Sequence, residues 1–171
     1  LNFNENEILF DIGANVGTYG IFASVMKNAI VYAFEPESQN FSLLTKNIIY
    51  NDLSERMTAW PVAISDEEKF SLLNLWGFRA GNSHHFFDES KNFKLEEENF
   101  PFVQGAVSTT IDALVDAEIT PIPDHIKIDV DGIEDKVVQG AWKTLSNPAV
   151  QSVLIELNTN LEQHRLIPPK L

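Results

Sequence analysis

The sequence predicts an α/β fold built on a mainly parallel sheet. Three observations carry that prediction. Strand-like and helix-like segments alternate through much of the 171 residues, a length suited to one domain with a substantial core. The run FDIGANVGTYG, residues 10–20, drives an apolar strand straight into a turn carrying Gly13, Gly17 and Gly20. Acidic residues then end later strand-like runs, at Glu35 in AFEPE and in HIKIDVDGIED, residues 125–135.

In chain order, Ile8 to Ile12 reads as a first buried strand, and Thr18 to Lys27 as a helix with Ile21, Phe22, Val25 and Met26 on one face. Ile30 to Phe34 is a second strand. Pro36 opens a helix reaching Tyr50, with Phe41, Leu44 and Ile48 at helical spacing. Trp60 to Ile64 is expected as a third strand and Lys69 to Trp76 as an extra one. Residues 77–100 are polar, acidic and rich in turn residues, and are expected to form a lid or substrate-facing insertion, or a plain surface excursion. Phe102 to Val107 is again strand-like, and Thr109-Thr110-Ile111-Asp112 starts a short helix in capping-box fashion. Ile126 to Val130 is the fourth main strand, Gly132 to Leu145 a helix, and Val150 to Leu157 the fifth strand.

Composition narrows the function. The formal net charge of −13 disfavours nucleic acid and anionic membranes as partners, while a small neutral or cationic ligand suits it. No apolar run approaches the ~20 residues of a membrane span, and no signal peptide is recognisable. The absence of cysteine excludes disulfides, thiolate metal sites and cysteine nucleophiles, and fits a cytoplasmic address. The chain starts at Leu1 rather than at a methionine, as a trimmed or fragmentary chain does.

Four strand ends carry chemistry. In the first turn, a dinucleotide fingerprint would place glycine at position 15, where backbone approaches a pyrophosphate. Asn15 stands there instead, so the spacing Gly13-x-x-x-Gly17 favours a smaller, less anionic ligand over a pyrophosphate. The bland alternative is a tight strand–helix turn that binds nothing. Glu35 follows Gly17 at about the distance expected of an acid that accepts both hydroxyls of a ribose. The alternative is a helix-capping acid. Val62 to Asp66 ends the third strand with small apolar groups beside Ser65 and Asp66, a weak signal for an adenine face. Asp129, Asp131, Glu134 and Asp135 crowd carboxylates at the fourth strand end, where repulsion raises pKa values and suits a general base, or a divalent cation. Capping by Asp131 with Glu134 three residues on explains those two but not Asp129. His84 and His85, with Asp88 nearby, are a further base or metal candidate, although adjacent loop histidines are more often solvated; His125 reads as structural. No phosphate-loop or Gly-x-Ser-x-Gly motif occurs.

FDIGANVG, AFEPE, HIKIDVDGIE and LIELN, in that order, resemble the FkbM-type methyltransferases, from about Ile8 to Asn158. That resemblance implies a Rossmann-like fold with helices on both sheet faces and S-adenosylmethionine as cofactor. It implies that Asp11, Gly13, Asn15 and Gly17 form the loop holding the methionine part, that Glu35 binds the ribose, and that Ser65 and Asp66 fall near adenine. Asp129 matches the acid beside the reacting methyl, and Asn82-Ser83 resembles a Gly-Asn-Ser element of the family without an assigned role. The fold usually ends in an antiparallel strand hairpin, for which the residues after Leu157 are too few. Either the chain is a fragment, or a second copy covers the exposed sheet edge as a homo-oligomer. The function expected is methyl transfer from S-adenosylmethionine to a hydroxyl of a small molecule or sugar, with Asp129, Asp131 or His84 as catalytic base and no resident metal. A NAD-dependent oxidoreductase and a non-catalytic cofactor-binding module are the rival readings.

Overall fold

The structure is a computed structural model that describes residues 4–77, 79–82, 86–87, 100–158 and 162–167. Its elements begin with β1 (Ile8–Ile12), α1 (Thr18–Lys27), β2 (Ile30–Phe34), α2 (Ser38–Tyr50) and β3 (Met57–Trp60). Next come β4 (Ala63–Ile64), β5 (Lys69–Leu75), β6 (Phe86–Phe87) and β7 (Phe102–Thr109). The remainder is α3 (Ile111–Asp116), β8 (His125–Ile128), α4 (Glu134–Gly140), α5 (Trp142–Leu145), β9 (Ser152–Ile155) and α6 (Glu162–Arg165).

Five strands in the order β3-β2-β1-β8-β9, all parallel, form the main sheet. The chain builds outward from β1 to β3, then returns to add β8 on the other side of β1. That reversal opens a crevice beyond the carboxyl ends of β1 and β8, where open α/β sheets bind ligands. Strand periodicity divides the core in two. Phe10, Ile12, Phe34, Ile126 and Ile128 face one layer with Ile111, Val137 and Val138 of α3 and α4. Leu9, Val31, Ala33 and Met57 face the other, with Ala23 of α1 and Leu44 and Ile48 of α2. Helices therefore cover both faces, as the sequence predicts.

A second, four-stranded sheet has the order β4-β7-β5-β6. It corrects the expected third strand: Trp60 to Ile64 is two strands in two sheets, with β3 ending at Trp60 and β4 pairing with Ser108 and Thr109 of β7. Pro61, which has no N–H for a ladder, lies at the break. The helix expected from Gly132 to Leu145 is also two pieces, interrupted at Ala141 (φ −113°, ψ 7°). Asp112 of α3 supplies the missing cap for α5, accepting from Lys143 N at 2.9 Å and Thr144 N at 2.8 Å. Thr110 caps α3 by accepting from Ala113 N at 2.9 Å, so the cap is there and Asp112 serves another helix. Among the described residues no strand follows β9, and no helix is long and apolar enough to cross a membrane.

Candidate functional site

The turn from Gly13 to Gly17 leaves β1 with three left-handed residues, Gly13 (φ 72°), Asn15 (φ 51°) and Gly17 (φ 90°). At Gly13 the demand for glycine is absolute: a Cβ would stand 1.8 Å from the carbonyl oxygen of Asp129. The end of β1 and the end of β8 are thus in direct backbone contact. Asn15 tolerates the left-handed conformation, as asparagine does more readily than most residues.

Beneath this turn Asp11 is fully buried, its Oδ2 accepting from Gly20 N at 3.0 Å. Its partner in the parallel register is Lys127. The Lys127 ammonium donates to the Gly13 carbonyl at 2.9 Å and lies 3.2 Å from Asp11 Oδ1 and 3.3 Å from Asp129 Oδ2. Burial pushes the Asp11 carboxyl up, against the pull of Lys127. Burial alone would lower Lys127, but Asp11 and Asp129 outweigh it and hold the ammonium above its usual range. One hydrogen bond and two ion pairs thus converge on the Lys127 ammonium, which ties the two strand ends together. It was legible only through strand alternation, which sets 127 and 129 on one side.

Glu35 ends β2 almost fully buried. Its Oε2 accepts from Asn15 N at 2.8 Å and its Oε1 from Glu37 N at 2.9 Å. Burial raises its pKa to about 7, more than those two hydrogen bonds lower it. The helix-capping role considered for this acid belongs to Glu37, whose carboxylate accepts from Gln39 N at 2.9 Å and Asn40 N at 2.7 Å. Pro36 therefore precedes the helix, which starts at Ser38. Glu35, with its backbone-fixed carboxylate, borders a cleft that Gly13, Asn15, Asn82, Asp129 and Asp131 also line.

Val62, Ala63 and Ile64 form an apolar wall of that cleft, facing Leu73, Phe87 and Ile133. Ser65 and Asp66 are not among its lining residues. They turn toward α4, where a Cβ on Gly140 would stand 2.1 Å from the Ser65 carbonyl oxygen, and Ser65 Oγ donates to Asp66 Oδ1 at 3.0 Å. Gly17 is set back too, its α-carbon facing Leu44.

At the end of β8, Asp129 is partly exposed and Asp131 is left-handed (φ 58°). Asp131 does not cap the next helix, because the cap position falls on Ile133. Instead Glu134 reaches back, its Oε1 accepting from Val130 N at 3.2 Å and its Oε2 from Gly132 N at 3.1 Å. Burial raises the Glu134 carboxyl. His164 of α6, also buried, has Nε2 3.0 Å from Glu134 Oε2 and 3.1 Å from the Gly132 carbonyl, while its Nδ1 accepts from Asn158 N at 3.2 Å. With Nδ1 accepting, the ring proton sits on Nε2. His164 and Glu134 brace the turn that carries Asp131. No sequence motif marks His164. Glu156, one step past β9 and beside Asp129 in register, hydrogen-bonds to Asp129, whose negative charge pushes the Glu156 carboxyl up. The order of these residues brings two acids together, with an ammonium beside Asp129. His84, with His85 and Asp88, lies outside the described residues. Among the described residues no group of three or more acidic or imidazole side chains is placed to hold a metal ion.

A parallel sheet of this order, with the cleft at the β1/β8 crevice and carboxylates at the ends of β1, β2 and β8, defines a Rossmann-like α/β fold with its ligand site at the switch point. The fold matches a crystal structure of methyltransferase FkbM from Methylobacillus flagellatus KT at a TM-score of 0.59 and 20% identity, covering 88% of this chain and 32% of that one. It also matches precorrin-6y C5,15-methyltransferase from Geobacter metallireducens GS-15 at a TM-score of 0.54 and 12% identity, over 94% of this chain and 59% of that one. The chain belongs to the methyltransferase FkbM domain family, whose model matches residues 11–168. A curated relative, the hexuronic acid methyltransferase AglP of Haloferax volcanii, is 26% identical over 164 residues, 92% of this chain. The chain spans 59% of that relative's length.

Proposed function

We propose that this protein transfers a methyl group from S-adenosylmethionine to a hydroxyl of a sugar or other small acceptor. The observation that carries the proposal is the placement of Glu35: a buried carboxylate, oriented by Asn15 and Glu37, on the same cleft as the turn at Gly13 and Asp129. A ribose diol offers two donors, and Glu35 retains acceptor capacity on both oxygens. The apolar wall of Val62 to Ile64 suits a purine face. The residues fit the cofactor, since Glu35 and the apolar wall line one cleft and Asn15 occupies the place where a pyrophosphate would need glycine. Family membership and Asn15 leave the nicotinamide-dependent alternative without support.

The bound cofactor would supply a methyl already activated by its sulfonium. The protein's work is then to position the acceptor oxygen in line and remove its proton. Asp129 is the base favoured by its position at the junction of β1, β8 and β9. The Lys127 ammonium lies 3.3 Å from its carboxylate, and Glu156 beside it would pass the accepted proton onward. Asp131 is the second candidate, on the turn braced by Glu134 and His164. A hydroxyl-bearing sugar is in keeping with the relative that acts on a hexuronic acid. Self-association through the exposed β9 edge would be read by sedimentation.

Calorimetry with S-adenosylmethionine and S-adenosylhomocysteine tests the first step: binding to the folded chain is expected, and none would end the proposal. Binding without turnover across a broad panel of sugar acceptors would favour the non-catalytic module. NADH fluorescence is expected not to change on adding the protein.

A further inference from the structure

Residues 79–82, which follow β5 in the chain, form a strap at the wall of the cleft with two fasteners. Asn82 lines the cleft, and its carbonyl accepts from Asn15 Nδ2 at 2.9 Å and from Asn40 Nδ2 at 3.0 Å. Asn40 Oδ1 in turn accepts from Gly81 N at 2.7 Å. Asn40 is almost wholly buried in the first turn of α2, so its amide is shielded from water and engages the strap. The strap is shaped to be held this way. Asn82 N closes a turn on the Arg79 carbonyl at 3.2 Å, Gly81 is left-handed (φ 88°), and a Cβ on Gly77 would stand 2.5 Å from Asn82 Nδ2.

The second fastener is the residue that distinguishes the first turn. Asn15 donates its backbone N–H to Glu35 and its side-chain amide to Asn82. One residue therefore touches both the acid expected to grip the ribose and the strap across the cleft. Asn40 joins them from α2, whose cap Glu37 also donates its own N–H to Glu35.

We infer that Asn40 is a positioning residue which, together with Asn15, seats the 79–82 strap on the cofactor turn and so couples cofactor binding to the wall of the cleft. The inference rests on the cofactor assignment proposed above. Coupling is reciprocal: if cofactor binding steadies the strap, loosening the strap weakens cofactor binding by the same factor.

The test combines amide hydrogen exchange with calorimetry, using S-adenosylhomocysteine as probe. In the wild-type protein the Gly81 amide should exchange slowly, and more slowly still with the probe bound. Asn40→Ala removes two of the strap's hydrogen bonds. It should release Gly81 to rapid exchange and weaken the probe about tenfold, with protection in β1 and β2 unchanged. Asn40→Asp keeps the shape and the oxygen that accepts from Gly81 N–H but loses the donor. It guards against a packing defect in the alanine variant, and should give an intermediate loss, about threefold. Wild-type probe affinity in Asn40→Ala despite a released Gly81 overturns the coupling. A Gly81 amide that exchanges equally fast in the wild type and in Asn40→Ala overturns the latch. If the wild-type protein binds no probe, the cofactor assignment fails and the coupling with it, while the ligand-free exchange separately reports whether the latch exists.

Discussion

The two ends of the parallel sheet use the same side chains to opposite effect. At the amino end, the Glu7 carboxylate meets His125 Nε2 at 2.9 Å and Gln151 Nε2 at 3.1 Å, and His125 Nδ1 meets Ser152 Oγ at 2.8 Å. Asp124 accepts from Ile8 N at 2.8 Å and Gln151 Nε2 at 3.0 Å. Every carboxylate there has donors, and the hydrogen bond from His125 leads the effects that pull Glu7 down to about 2. At the carboxyl end, burial raises Asp11, Glu35 and Glu134, and the charge of Asp129 raises Glu156. One end is a finished network that holds strands in register. The other keeps acids in excess of cations, which costs stability and leaves proton acceptors facing a cleft.

Gly13→Ala should break the carboxyl end most severely. With 1.8 Å to the Asp129 carbonyl, β1 and β8 must part. Probe affinity is expected to fall more than about a hundredfold, and stability by about 3 kcal/mol or more, by calorimetry and thermal unfolding. Wild-type behaviour would mean the two strand ends are not joined as described.

Asp129→Asn removes the proposed base without changing shape. Turnover should drop by at least about a hundredfold while probe affinity stays within about threefold. Retained turnover would move the role to Asp131 or Glu156.

Glu35 gives a pH signature. Its folded pKa of about 7 lies above the unfolded value of 4.5, so the carboxyl is protonated as pH falls through about 7. A ribose diol binds the ionised form, so affinity should weaken about tenfold from about pH 8 to about pH 6 in the wild type and be flat in Glu35→Gln. A pH-independent wild type would sever Glu35 from the ligand.

The smallest effect belongs to the amino end. Glu7→Gln should lower the melting temperature by about 2–4 °C at neutral pH, measured calorimetrically, with turnover unchanged. The sign of its pH dependence follows from a folded pKa depressed from 4.5 to about 2. The stabilisation is complete above about 4.5 and vanishes as pH falls toward about 2, so variant and wild type should converge in acid. A loss of turnover in Glu7→Gln would show that the two ends are not separable.

The main sheet was legible because its central strands are largely buried and read as mostly apolar runs, as in ILFDI and IVYAF. The second sheet was not, because a single proline divides one apolar run between two sheets and the run itself does not record where each half pairs. Gly13, Asn15, Glu35 and Asp129 stood out because each sits where a strand ends, a position local sequence reveals. Asn40, Glu134, Glu156 and His164 were silent or ambiguous. Asn40 lies in an ordinary helix turn, and His164 reaches the Asp131 turn only through α6, 32 residues away along the chain.

By itself the sequence determined the strand–turn–helix starts, the acid after β2 and the family these motifs resemble. Those are local matters of backbone conformation and alternation, settled within a few residues. Tertiary structure decided which carboxylates are paired and which are raised, that Lys127 bridges two strand ends, and that two asparagines far apart in sequence hold one carbonyl. Pairing, burial and charge repulsion depend on neighbours brought together only by folding. The chemistry of an acid at a strand end is therefore fixed by what the fold places against it.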